Sequence, residues 1–184
     1  MEDIQFIKMK RNKHIDSLPT KHVRVLLAED YANLRETLKL LLEADRDIEV
    51  VGEAKTGIEA VQMTRDLRPA VIVMDISMPL LNGLHATRQI IKRFRKSRVL
   101  ILSAHSDPEY IEQAVIVGAS GYLMKESSTQ FLAQAVREVL KGNTYFSSSI
   151  PDSIRNQCQK LFDKRQLGKK SRCSSRAFGG AVNG

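Results

Sequence analysis

From Val23 onward, short apolar runs alternate with segments whose apolar residues recur at helical spacing, and that alternation admits few folds. The runs are "VRVLLAED", "IEVVGEA", "AVIVMD", "RVLILSA" and "SGYLMK". Between them lie "NLRETLKLLLEA", then "TGIEAVQMTRDLR" stopping at Pro69, a helix from about Leu84 to Arg95, and "DPEYIEQAVIVG". A last helix carries Phe131, Leu132, Ala135, Val136, Val139 and Leu140 on one face. In the first helix Leu34, Leu38, Leu41 and Leu42 share a face, and Asn33 and Glu36 are placed as a capping box. Strands apolar on both faces and separated by helices imply a parallel sheet covered on each side, with right-handed crossovers. The pattern predicts an α/β domain of five βα units without an internal repeat.

In such a sheet reactive groups collect at the carboxyl ends of the strands. The polar residues that end the first, third, fourth and fifth runs are Glu29-Asp30, Asp75, Ser103 and Lys125, so all should meet on one edge. Three carboxylates that close raise one another's pKa unless a cation offsets them. Few hard oxygen ligands suit Mg²⁺, which commonly binds through one or two carboxylates plus a phosphate. Lys125 supplies a positive charge and Ser103 a hydroxyl for phosphoryl oxygens, and Asp75, mid-sheet, is the candidate nucleophile. Each residue alone has a plainer reading. Asp75 could be a loop acid, Glu29 and Asp30 partners of a helix dipole, Lys125 a solvated lysine, Ser103 a strand-end hydroxyl and Tyr122 core filling. Their joint position favours a site.

"LLAED", "VIVMDISMP", "VLILSAH" and "GYLMKESS", in this order and spacing, resemble the receiver domain of two-component response regulators over residues 23–141. The resemblance implies a doubly wound (βα)5, flavodoxin-like receiver fold with strand order 2-1-3-4-5. It implies Glu29, Asp30 and Asp75 as Mg²⁺ ligands with the main-chain carbonyl of Ser77, and Asp75 as the phosphoacceptor. Ser103 then matches the switch hydroxyl, Tyr122 the switch aromatic and Lys125 the phosphate-contacting lysine. A sensor histidine kinase would supply the phosphoryl group, the domain catalysing only its own phosphorylation and dephosphorylation and otherwise being no enzyme. Phosphate on Asp75 would draw Ser103, vacating space that Tyr122 can fill, and change the face formed by the fourth helix, fifth strand and fifth helix (residues 107–118, 120–124 and 128–141). Ser replaces a frequent Thr at Ser103, Asn82 a frequent Asp, and Glu126 a frequent Pro; Asn82 suits a helix cap. A flavin or nucleotide enzyme on a similar sheet would want a glycine-rich loop after the first strand, and "LLAEDYANL" has none there.

The net charge of +8 says nothing about that site, because residues 25–141 carry −1 while residues 1–24 carry +3 and residues 142–184 carry +6. No run approaches the roughly 18 apolar residues of a membrane span, and the start has no apolar signal-peptide centre, so a cytoplasmic location without membrane contact is expected. Cys158 and Cys173 read as free thiols, and His14, His22, His85 and His105 as surface or loop residues without partners at ligand spacing.

"GYLMKESS" followed by "VREVLKGNTYFSSSI" resembles the NarL/FixJ subgroup, whose receivers precede a LuxR-type DNA-binding domain. After "LGKK" this chain reads "SRCSSRAFGGAVNG", without the family's recognition-helix region. The expected organisation is a basic extension (1–22), the receiver (23–141), and a linker with a basic, disordered tail (142–184). In that tail Ile154, Cys158, Leu161 and Phe162 could line one short helix. Two outputs stay open: transcription control by ancestry, or a stand-alone receiver acting by protein contacts or phosphate relay. DNA contact, a homodimer and a truncated or frame-shifted ending stay open with them.

Overall fold

The computed structural model describes residues 22–174, with side chains through Arg165. Its elements are β1 (Val23–Ala28), α1 (Ala32–Glu43), β2 (Ile48–Ala54), α2 (Gly57–Leu67), β3 (Val71–Asp75), α3 (Gly83–Arg93), β4 (Arg98–Ser103), α4 (Pro108–Val117), β5 (Gly121–Met124), α5 (Ser128–Lys141), β6 (Tyr145–Phe146) and α6 (Asp152–Ser174). The strands form one sheet in the order β2-β1-β3-β4-β5-β6, every neighbouring pair parallel. The flavodoxin-like receiver order 2-1-3-4-5 is present, with a sixth strand added at its edge.

Alternation of side chains along each strand divides the core in two. Val25, Leu27, Val71, Val73, Leu100, Leu102 and Leu123 face α1 and α5, where Leu38, Leu42, Leu132, Val136 and Val139 meet them. Leu26, Ile72, Met74, Ile101, Tyr122 and Met124 face the other way, against Ala60, Ile90, Ile111 and Ala114. All five residues of β3 are buried. Each fully buried aliphatic side chain contributes roughly 1.5–3 kcal/mol, so the central strand is fixed on both sides and the position of Asp75 with it.

Two expectations need correction. Asn33 does not cap α1: the helix begins one residue before it, after Tyr31, and no side chain caps that end. The entry turn is held by side chains of the acidic edge instead, Glu29 Oε1 accepting from Tyr31 N at 3.3 Å. The capping signature belongs to α2, where Thr56 accepts from Glu59 N at 3.1 Å and Glu59 Oε2 accepts from Lys55 N at 2.7 Å.

The second correction concerns the segment after α5. It pairs at once as β6, Ser147 N donating to Tyr122 O at 3.0 Å while Ser147 Oγ accepts from Met124 N at 2.8 Å. Then α6 runs to Ser174, longer than the short helix expected. Its apolar stripe is buried: Cys158 and Phe162 join Ile150 in the core on the α4 side. Arg165 donates to the carbonyls of Val115 and Gly118, the latter at 3.1 Å, at the C-terminal end of α4. A guanidinium there adds donors to the last carbonyls of the helix and offsets its dipole. The rest of the expected tail, 175–184, and the extension 1–21 lie outside the described residues.

Candidate functional site

β3 delivers Asp75 to the carboxyl edge of the sheet, 2% exposed. Nothing bulkier than glycine could follow at Gly83, because a Cβ there would stand 1.9 Å from the Asp75 carbonyl oxygen. That close approach seats α3 directly behind the acid, with Asn82 capping the helix through its bond from His85 N at 2.9 Å. Between them Leu80 holds φ 66° and is 81% exposed. A bulky residue rarely adopts that conformation, so the loop beside Asp75 stores strain.

One strand over, β1 runs straight into Glu29, 1% exposed, followed by exposed Asp30. One carboxylate oxygen from each of Glu29, Asp30 and Asp75 lies within 4.8 Å of the others. β5 brings Lys125, whose Nζ stands 2.9 Å from Glu29 Oε2 and 3.1 Å from Asp75 Oδ1. Its backbone is fixed by a single 3-10 turn, Lys125–Ser127, and by Ser128 Oγ donating to Lys125 O at 2.7 Å. The three acids and the lysine therefore meet as the strand ends foretold.

The electrostatics of this cluster are unbalanced. Burial pushes the Glu29 carboxyl above its usual range and the Asp75 charge adds to that, against the opposing pull of Lys125. Burial works against the Lys125 ammonium, yet Glu29 and Asp75 outweigh it and raise its pKa. Glu29 Oε2 is buried, and the cation it meets is the Lys125 ammonium at 2.9 Å. Three carboxylates converging within 4.8 Å, with one ammonium against three acids, form an oxygen donor set suited to a divalent cation.

Residues 25–137 match the response regulator receiver domain family. This chain belongs to that family. It is 34% identical to the transcriptional regulatory protein DegU of Brevibacillus brevis, the match covering 77% of this chain and 60% of DegU. It is 35% identical to the oxygen regulatory protein NreC of Staphylococcus carnosus, covering 73% of this chain and 63% of NreC. The chain thus spans about three fifths of the length of these relatives. Among solved structures, the receiver domain of the NarL response regulator from Mycobacterium tuberculosis matches with TM-score 0.65 at 32% identity, covering 67% of this chain and 99% of that one. A LuxR-family response regulator from Aurantimonas matches with TM-score 0.68 at 29% identity, covering 79% and 99%. The relatives are thus response regulators of the NarL and LuxR type, signalling proteins rather than classical enzymes, and transcriptional regulators are among them.

The remaining residues of the receiver edge sit on β4 and β5. Asp75 pairs with Leu102, so Ser103 lies one step farther along the neighbouring strand. It is fully buried, and its Oγ accepts from His105 N at 3.0 Å. Tyr122 is wholly inside, its hydroxyl donating to His105 O at 2.7 Å, and burial pushes its pKa up to about 12. The Tyr122 ring thus occupies the interior of the sheet edge beside Ser103. Ser77 is exposed, with its Oγ 3.3 Å from His105 Nε2.

His105 and Arg35 are the residues that the sequence reading missed. The His105 ring stacks on Tyr110 with centroids 4.6 Å apart, and its backbone joins Ser103 to Tyr122. Arg35 is 8% exposed, and its guanidinium reaches the carbonyls of Glu29 and Asp30. Position two residues after Ser103 could have flagged His105; for Arg35 the clue was a lone cation near the start of the helix that follows two acids. His85 is exposed on α3, its Nδ1 2.9 Å from Asn82 Oδ1.

Proposed function

We propose that this receiver accepts a phosphoryl group on Asp75 from the phosphohistidine of a sensor histidine kinase. The cofactor is Mg²⁺, held by Glu29, Asp30, Asp75 and the main-chain carbonyl of Ser77. The observation that carries this reading is the buried Asp75 carboxylate within reach of both an acidic pair and the Lys125 ammonium. When bound, the ion neutralises repulsion between the carboxylates and the incoming phosphate.

An Asp75 oxygen attacks phosphorus; the new P–O bond forms as the P–N bond to the kinase imidazole breaks, and the imidazole keeps the electron pair. Lys125, already 3.1 Å from Asp75 Oδ1, is close enough to turn its ammonium to a phosphoryl oxygen. Attack of water on the acyl phosphate returns inorganic phosphate and the carboxylate. Glu29, Asp75 and Ser103 are buried, which limits water at this edge.

The signal then travels by population shift. Ser103, the switch hydroxyl, gives up His105 N for a phosphoryl oxygen, and His105 is also the acceptor of Tyr122, the switch aromatic. Residues 105–107 lead into α4, so the face of α4, β5 and α5 responds. Relatives named as transcriptional regulators support transcription control in the cytoplasm as the output, with residues 23–141 as receiver, 1–22 as a basic extension and 142–184 as linker and tail. DNA contact and a homodimer belong to that output. Action through protein contacts without DNA is the second reading, favoured because α4 already receives an amphipathic helix, α6. Labelling by a phosphoimidazole donor with and without Mg²⁺, followed by a size measurement of both forms, tests site and output together. Labelling that ignores Mg²⁺ would refute the cofactor assignment.

A further inference from the structure

We infer that Arg35 is the positioning residue of the cation site, holding the Glu29 and Asp30 peptides so that their carboxylates converge with that of Asp75 where metal would bind. The inference rests on reading the acidic cluster as a cation site. Arg35 lies on α1, and one nitrogen, Nη1, donates to Glu29 O at 2.8 Å and to Asp30 O at 3.2 Å. Its Nε donates to Glu53 Oε2 at 3.3 Å on β2, and Glu53 Oε1 also accepts from Lys39 Nζ at 2.8 Å.

A buried guanidinium next to three carboxylates would ordinarily pair with one of them. This one is given instead to the backbone of the two acids and to a fourth carboxylate on the next strand. Peptide groups are planar, so fixing two successive carbonyls also restricts the directions in which the Glu29 and Asp30 side chains leave the main chain. The guanidinium keeps its charge at any working pH, and its bonds go to two carbonyls and to Glu53 rather than to the oxygens of the acidic trio. Lys could not serve equally, because its single ammonium lacks the fork needed to hold two carbonyls and a carboxylate together. Outer groups that orient metal ligands commonly govern affinity by about 10–100-fold.

The test is calorimetric titration of the full chain with Mg²⁺, comparing wild type, Arg35→Gln, Arg35→Lys and Lys39→Ala. Wild type binds; Arg35→Gln raises the dissociation constant about tenfold or more, and Arg35→Lys only partly restores it. Lys39→Ala, which shares Glu53 but touches neither carbonyl, leaves affinity unchanged. The half-saturating Mg²⁺ for phosphodonor labelling should shift in Arg35→Gln while the rate at saturation returns to wild type, a split that general loosening would not produce. Wild-type affinity in Arg35→Gln, or a rate low at every Mg²⁺ concentration, overturns the role of Arg35. A wild type that takes up no Mg²⁺ overturns the cation site itself, so the two failures are distinct. Should both Arg35 variants fail to fold, the Arg35 ¹⁵Nε resonance of wild type must shift on Mg²⁺ saturation, and a static signal counts against the assignment.

Discussion

The Lys125 ammonium stands 3.1 Å from Asp75 Oδ1, bridging that carboxylate to Glu29 Oε2 at 2.9 Å. One cation thus compensates two buried acids. Lys125→Met keeps the stem and removes the charge. Without metal it should lower stability by about 1–3 kcal/mol in urea denaturation, since the acids lose their partner. Phosphoryl acceptance should slow by about 10²-fold. Labelling at the wild-type rate would show that Lys125 does not touch the transferring group.

Glu29 gives the site a pH signature. Its folded pKa is raised by burial, so its stability contribution is full below the unfolded value of 4.5 and is lost as pH rises through the folded pKa. Glu29→Gln does not titrate. In metal-free buffer at neutral pH the variant should therefore melt above wild type, and the gap should close as pH falls below 4.5. With Mg²⁺ the order should reverse, because the amide is a poorer ligand. Melting curves at several pH values, with and without the ion, check both signs; a gap between Glu29→Gln and wild type that does not widen with rising pH in metal-free buffer would contradict the burial argument.

The receiver edge was legible because each strand is a continuous apolar run ended by a polar residue. That pattern fixes where Glu29, Asp75, Ser103 and Lys125 emerge, independent of side-chain detail. What escaped depends on register and short elements. β6 is two residues, too short to show a period, and is defined only by its bonds to β5. Asn33 and Glu36 had capping spacing, but the helix start is set by the Glu29 contact to Tyr31, which propensity cannot foresee. In α6 the mean pattern is polar, so Cys158 and Phe162 looked insufficient to dock it; the Arg165 contacts to the end of α4 supply what the stripe lacks.

Tyr122 links the strand interior to the loop entering α4. Tyr122→Phe removes the hydroxyl that donates to His105 O and should cost about 1 kcal/mol. It should also speed hydrogen exchange across residues 104–108. An unchanged exchange pattern would mean that the bond does not anchor that loop.

Docking of α6 can be read from a thiol. Cys158 is fully buried and its pKa is raised by burial, so it should resist thiol reagents while α6 lies on α4. Phe162→Ala, in a Cys173→Ser background, should raise the labelling rate of Cys158 at least severalfold while the receiver core stays folded by circular dichroism. Equal rates in the two proteins would show that Phe162 does not hold the helix down.

The central claim is that Asp75 is the residue that carries phosphate. Wild-type protein treated with an acyl-phosphate donor and Mg²⁺, then reduced with borohydride, should yield a peptide with homoserine at position 75 and nowhere else, and Asp75→Asn should yield none. Homoserine at another aspartate, or undiminished phosphate incorporation in Asp75→Asn, would contradict the account.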